Sequence, residues 1–366
     1  MSFIGAENII SPLGETVEAN FSQAMKGMSG LKRHHALPNT PTAIPFGIIE
    51  HVRMQEGLSK IESLSLQTCQ ASLEKVKNTD GRWLLILCTT KGDIDRLADG
   101  LNTEVRPQHL AQVVVDRLAV QMDIEVVSNA CISGLLGVVM AHDYVETDTY
   151  DHVLVLGADV FSDFTCKGFE SFMALSADTC KPFDANRTGL SLGEAVVSAV
   201  VSKDEMLFNQ QPKMVLGGAT ANDANHISGP SRTGEGLYRA IQKSLAQAGL
   251  QSQDIDAISA HGTATRYNDD MESIAFHRSN LAQKPVNSMK GYFGHTLGAA
   301  GLLELIMSMK SMEEGVMLKS LGCDQPGTTE SIQVVLENTE MSIHTLLKTT
   351  SGFGGCNAAA IIAKIK

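Results

Sequence analysis

Several short runs in the chain are apolar at all or all but one of their positions, and they alternate with longer stretches of helical periodicity. Residues 83–88, 153–158, 195–201 and 358–363 have no alternation that would leave one face to water. They read as strands buried on both faces. Residues 59–76, 110–122, 133–145, 236–248 and 299–312 carry helical spacing. Strands covered on both sides and alternating with helices predict an α/β fold with helices packed over the sheet faces. A chain of 366 residues accommodates one large α/β unit or two fused halves.

A pattern in the first half returns in the second. A turn of small residues leads into a Gly/Ala-rich apolar helix at Asn129-Ala130-Cys131-Ile132-Ser133-Gly134-Leu135-Leu136. The same happens at Gly294-His295-Thr296-Leu297-Gly298-Ala299-Ala300-Gly301-Leu302-Leu303. Glycine and alanine let helix backbones approach closely, so the two helices suit the centre of a pseudo-symmetric core. No Pro/Ser-rich linker divides the chain.

Cys131 occupies a strand-to-helix turn, with residues 125–128 reading as the strand and the helix beginning near Ile132. Unpaired N–H groups and the positive end of the helix dipole gather at such a turn. Both favour thiolate over thiol, and the same N–H groups can hold an oxyanion once sulfur attacks a carbonyl. Most cysteines are only small buried hydrophobes. Position and flanks lift Cys131 above that expectation, with Cys356 in Gly354-Gly355-Cys356-Asn357 the nearest competitor.

Two of the 11 histidines stand in distinctive settings. His261 ends the apolar run 255–260, at the C-terminal end of a predicted strand where α/β active sites assemble. Asp269 and Glu272 follow at helical spacing. His295 precedes the second Gly/Ala helix, where an imidazole stays neutral. No third ligand falls at HxxxH-like spacing, so a metal site is not expected.

The net charge of −12, without any Lys/Arg run, excludes a nucleic-acid-binding chain. The longest apolar runs are too short and too glycine-broken to span a bilayer. Seven cysteines form no CxxC pair and nothing at the start reads as a signal peptide, so a reduced, cytoplasmic compartment is expected.

Five blocks together resemble the β-ketoacyl-[acyl carrier protein] synthases of the thiolase-like superfamily, in their elongating Cys-His-His type. They are Ser128 to Gly134; Lys181-Pro182-Phe183-Asp184 with Arg187, Gly189, Gly193 and Glu194; His261-Gly262-Thr263-Ala264-Thr265 with Asp269 and Glu272; Asn287 through Gly301; and Ser351-Gly352-Phe353-Gly354-Gly355-Cys356-Asn357. The resemblance implies a thiolase-like α/β fold, two pseudo-symmetric halves in a five-layered α-β-α-β-α arrangement. Residues 1–205 would carry the nucleophile and residues 206–366 the two histidines.

It also implies roles. Cys131 would take the acyl group, with the backbone N–H groups of Cys131 and Phe353 as oxyanion hole and Phe353 as gate. His261 and His295 would promote decarboxylation of a malonyl thioester. Lys290, paired with Glu304, would organise the charges behind them. Thr263, Thr265 and Ser228 would bind the phosphopantetheine arm, which the acyl carrier protein supplies, so no further cofactor is implied. Carrier proteins are acidic, and Lys60 and Lys181 are the expected docking residues. The implied assembly is a homodimer, or a heterodimer with a related ketosynthase.

The chain departs from that family before Cys131, where it is short, and at Arg266, Ala195, Ser351 and Cys356, where proline, glycine, phenylalanine and threonine are usual. These changes bear on the acyl pocket and so on chain length. They suggest a specialised lipid or polyene pathway. A thiolase acting on coenzyme A thioesters, with Cys356 as second cysteine, and a non-catalytic partner subunit are the alternatives.

Overall fold

The computed structural model describes residues 1–34, 43–100, 103–223, 229 and 231–365. Among these, eleven strands hydrogen-bond in one sheet, and the sheet repeats itself. The first half supplies Ser2–Ile10, Trp83–Cys88, Met122–Val127, His152–Asp159 and Ala195–Ser202. In chain order these lie side by side as third, second, fourth, fifth, first. The second half supplies Lys213–Asn222, Ala257–Ser259, Pro285–Asn287, Thr345–Ser351 and Cys356–Lys364 in the same spatial order. Pairing directions match as well: two parallel ladders, then two antiparallel ones. A short ladder of Ser2–Ile4 against Lys213–Val215 joins the two sets.

Alternation along the buried strands sorts side chains into layers, because successive residues point to opposite faces. Trp83, Leu85 and Leu87 pack with Ile61, Leu64 and Leu110 on the outer helices Lys60–Leu73 and Pro107–Val115. Leu84, Ile86 and Cys88 face the centre, where they meet Leu135 and Leu302. In the second half, Ala358 and Ala360 face that same centre, while Ala359 and Ile361 face Leu237, Ile241 and Phe276 on the opposite outer layer. The central layer is the helix pair Ser133–Glu146 and Ala300–Glu314. The order from outside to outside is therefore helix, strand, helix, strand, helix, as the family resemblance implies.

The two small-residue helices meet as reciprocals. A Cβ on Gly134 would lie 2.9 Å from Leu302 N, and one on Gly301 would lie 2.7 Å from Leu135 N. Only glycine fits either position, and the contact brings together the N-terminal ends of both helices, one following Cys131 and the other His295.

One element differs from expectation. Residues 110–122 were expected as a helix, but the helix is Pro107–Val115 and Met122 already opens a strand. The apolar residues Val120 and Met122 are buried against the outer layer from a returning chain, with Met122 in register with Trp83. A run of apolar residues does not by itself tell helix from buried strand.

Candidate active site

Cys131 follows the strand Met122–Val127 and precedes the helix Ser133–Glu146. Ala130 is forced to φ 45°, a left-handed conformation that costs a non-glycine residue about 1–3 kcal/mol. The Ser133 hydroxyl braces the turn by donating to Ala130 O (2.7 Å) and accepting from Asn129 N (2.8 Å). Ala264 between the two threonines (φ 61°), Leu297 just after His295 (φ 52°) and Met173 on the cavity wall (φ 53°) are strained the same way.

His261 is held from behind by the helix Arg266–Arg278. Glu272 accepts the N–H groups of His261 (2.8 Å) and Gly262 (2.6 Å), and Asp269 accepts those of Thr263 (2.9 Å) and Phe183 (2.8 Å). Burial and the neighbouring Asp269 push the Glu272 carboxyl up to about 7. His295 is set by the Ser191–Gly193 segment: its N–H donates to Ser191 O (2.7 Å), and its carbonyl accepts from Gly193 N (3.1 Å). A Cβ on Gly193 would collide with Phe293 O, so glycine is required there.

These supports bring three distant residues together. His295 Nε2 lies 2.9 Å from Cys131 Sγ, and the two imidazole rings stand 5.1 Å apart at 82°. All three side chains are buried. Lys290 Nζ contacts His261 Nδ1 (3.1 Å), His261 O (2.7 Å) and Glu304 Oε1. An ammonium only donates, so His261 Nδ1 accepts and its proton sits on Nε2. Leu297 N–H lies 3.3 Å from His295 Nδ1 and favours the same tautomer there. Burial first, and then the Lys290 charge, hold both imidazoles well below their ordinary pKa, hence neutral.

The thiol departs from expectation. Burial pushes Cys131 up to about 12, outweighing Lys290 and the Phe353 N–H that donates toward the sulfur. The helix end does not produce a resting thiolate, because desolvation is the larger effect.

Cys131, His261 and His295 offer donor atoms within 4.8 Å of one another, close enough to surround an ion. However, two imidazoles that present Nε2–H, backed by an ammonium, are arranged to meet an anionic oxygen. A cation at Nε2 would need both rings in the opposite tautomer, with the proton on Nδ1, which already faces Lys290 Nζ at His261 and the Leu297 N–H at His295.

A cavity of about 570 Å³ opens onto these residues. Thr263 and Thr265 line it, with their hydroxyls 2.8 Å apart. Phe353 lines it too, stacked on Phe169 (5.5 Å, 28°) and edge-on to Phe172 (5.5 Å, 74°). Ser351 lies on the wall and donates to Asn357. Cys356 does not line the cavity: its thiol turns toward Phe353 O (3.3 Å). Lys60 is engaged by buried Glu194 (2.6 Å), and neither Lys60 nor Lys181 lines the cavity. Ser228 lies outside the described residues.

Sequence reasoning missed Lys348, whose ammonium is fully buried and contacts Glu304 Oε2 (2.7 Å) and the carbonyls of Ser259 and Ala260 (3.2 and 3.3 Å). The available signal was a lone lysine within an otherwise buried strand, which must have a partner. It also missed Asp159, which accepts from Gly298 N (2.7 Å), Thr90 N (3.0 Å) and Lys91 (2.7 Å) beneath the His295 turn.

Residues 95–206 match the family described as "Beta-ketoacyl synthase, N-terminal domain", and residues 213–324 match "Beta-ketoacyl synthase, C-terminal domain". The chain is 33% identical to the tetracenomycin polyketide synthase ketoacyl synthase alpha subunit of Streptomyces glaucescens, over 71% of this chain and 64% of that protein. It is 24% identical to 3-oxoacyl-[acyl-carrier-protein] synthase 2 of Staphylococcus aureus (strain COL), over 98% and 96% of the two chains. A ketosynthase solved in complex with its chain length factor, from Xenorhabdus doucetiae, superposes with a TM-score of 0.87 at 23% identity, covering 100% and 98% of the two chains.

Proposed function

Because the chain belongs to the β-ketoacyl synthase family, we propose that it joins an acyl group held on Cys131 to a malonyl unit carried by an acyl carrier protein. The observation that carries this reading is the contact of Cys131 Sγ with His295 Nε2 at 2.9 Å, beside His261 in one cavity.

In the first step the Cys131 sulfur attacks the acyl thioester carbonyl. The Cys131 and Phe353 N–H groups hold the oxyanion, and the pantetheine sulfur leaves with the proton that Cys131 loses. In the second step the malonyl carboxylate–carbon bond breaks and carbon dioxide departs. The electron pair remains as an enolate whose oxygen accepts from His261 and His295 Nε2–H. The enolate carbon then attacks the Cys131 thioester, and collapse of the tetrahedral oxyanion expels the cysteine sulfur as a thiolate, which takes up one proton from water to return to the resting thiol. These steps balance without a metal or redox cofactor. The phosphopantetheine arm comes with the carrier protein, and Thr263 and Thr265 contact it.

Cys356, which donates to Phe353 O and does not line the cavity, counts against thiolase chemistry, which needs a second reactive cysteine at the substrate. A cytoplasmic location suits seven buried, unpaired cysteines. Among the described residues no helix is long and apolar enough to cross a membrane. The strand Met122–Val127 ends the sheet with one neighbour among the described residues, and an open strand edge favours pairing with a second subunit. That supports a homodimer, or a heterodimer with a related ketosynthase, which light scattering of the purified protein distinguishes from a monomer.

Intact-mass analysis after incubation with acyl carrier proteins tests the central step. The expected result is one acyl group added to the wild-type chain and none to Cys131→Ala. An acylated Cys131→Ala chain overturns the assignment.

A further inference from the structure

We propose that Arg266 binds the phosphate at the far end of the pantetheine arm, making the cavity mouth an anion subsite. The proposal rests on the condensing-enzyme reading and names a residue which that reading does not assign.

Apart from its two histidines, the cavity has two basic side chains among the described residues, Arg187 and Arg266. Arg187 is buried and ion-paired, its two terminal nitrogens hydrogen-bonded and its Nε 3.7 Å from Asp269. Its guanidinium meets Asp270 (2.7 Å) and the carbonyls of Asp184 (2.8 Å) and Gly327 (2.7 Å), where it fastens the floor of the site. Arg266 is exposed, and among the described residues its guanidinium makes no ion pair or hydrogen bond. Its natural helical partner would be Asp270, four residues on. Asp270 is already taken by Arg187 and by the Thr329 N–H (3.0 Å). The cation at the rim is therefore left for something that enters.

The neighbours of Arg266 say what enters. Thr263 and Thr265 precede it on the same wall, two hydroxyls suited to the amides of an extended arm. Asp269 holds Thr263 N (2.9 Å), so the wall is anchored to the helix that Arg266 begins. An arm whose thioester reaches Cys131 at the inner end carries its phosphate at the outer end. A planar guanidinium with two parallel N–H groups matches phosphate geometry better than any other side chain.

Kinetics of Cys131 acylation provide the test, using one acyl group on three carriers: pantetheine, 4′-phosphopantetheine and an acyl carrier protein. The wild-type chain should favour the phosphopantetheine thioester over the pantetheine thioester in kcat/KM. The margin expected of a charge-assisted hydrogen bond is roughly ten- to a hundredfold. Arg266→Ala should abolish that preference, leave the pantetheine thioester unchanged and slow the carrier-protein substrate. An Arg266→Ala effect of equal size on pantetheine and phosphopantetheine thioesters overturns the proposal. So does an effect confined to the carrier protein, which would make Arg266 a contact for acidic side chains on the carrier surface. Failure of the wild-type chain to accept an acyl group from any of the three overturns the condensing-enzyme reading itself.

Discussion

Lys348 Nζ lies 2.7 Å from Glu304 Oε2, so one buried carboxylate joins two ammonium groups, with Lys290 on its other oxygen. The three side chains are buried. Removing the shared anion leaves two cations facing each other out of reach of water, whereas removing one cation leaves a paired couple. Glu304→Gln should therefore destabilise the fold by about 3–5 kcal/mol, the cost of orphaning buried charge, and Lys348→Met by clearly less. Chemical denaturation of the two variants gives the comparison. Equal losses would mean that the triad does not act as a charge-balanced unit.

The same triad sets a pH limit. His261 faces Lys290, Lys348 and His295, with Glu304 as the nearby anion and the Glu272 carboxyl, pushed up to about 7, gaining its proton as pH falls. Burial, then Lys290, His295 and Lys348, lowers its pKa, so it is neutral at working pH and gains charge only as pH falls. A protonated His261 facing Lys290 disrupts the contact that fixes its tautomer, so activity is lost on the acid side. Lys348→Met removes one repelling charge and makes His261 easier to protonate. The acid limb of malonyl decarboxylation should move to higher pH, and Lys348→Arg should restore it.

Acyl loading and decarboxylation should separate by mutation. His261→Ala removes a donor to the enolate oxygen but leaves Cys131 and its oxyanion N–H groups in place. A preorganised donor contributes about 2.7–4 kcal/mol to such a step, or roughly a hundred- to a thousandfold. Malonyl decarboxylation should fall by that factor while Cys131 still gains acyl mass.

Cys131 should behave as a protonated thiol. With its pKa pushed up to about 12 by burial, its alkylation rate should keep climbing with pH above the ordinary thiol value of about 8.5. A plateau below neutral pH would show a resting thiolate and restore the helix-end expectation.

The central helix contact should reject a single methyl group. Gly301→Ala puts a Cβ 2.7 Å from Leu135 N, a backbone atom that cannot yield, and overpacking of this kind costs about 1–3 kcal/mol. Gly168→Ala is the control: nothing lies within 4 Å of its Cβ, and alanine favours a helix, so stability should hold or rise. Thermal melts of both variants report the difference.

Chain-length preference should respond to Ser351, whose small side chain sits on the cavity wall. Ser351→Phe should suppress loading of long acyl groups more than short ones, measured by intact mass with carriers of graded acyl length.

Much of this protein was legible in order along the chain. Nearly unbroken apolar runs required doubly covered strands, and Gly134 and Gly301 required two helices in contact. The blocks around Cys131, His261 and His295 carried the chemistry, because covalent catalysis needs particular atoms and the turns that present them need particular small residues. Tertiary structure decided what depends on distance through space. It buried Cys131 enough to keep its proton, a balance of desolvation against dipole that no local motif contains. It engaged Lys60 with Glu194 and brought Arg266 to the cavity rim, since which charges remain free depends on every partner within reach. It also placed Lys348 behind Glu304 from a strand 44 residues away, where burial makes one extra charge felt by His261. Local spacing determines the elements and the reactive groups, whereas desolvation and pairing arise only once the two halves close around the same centre.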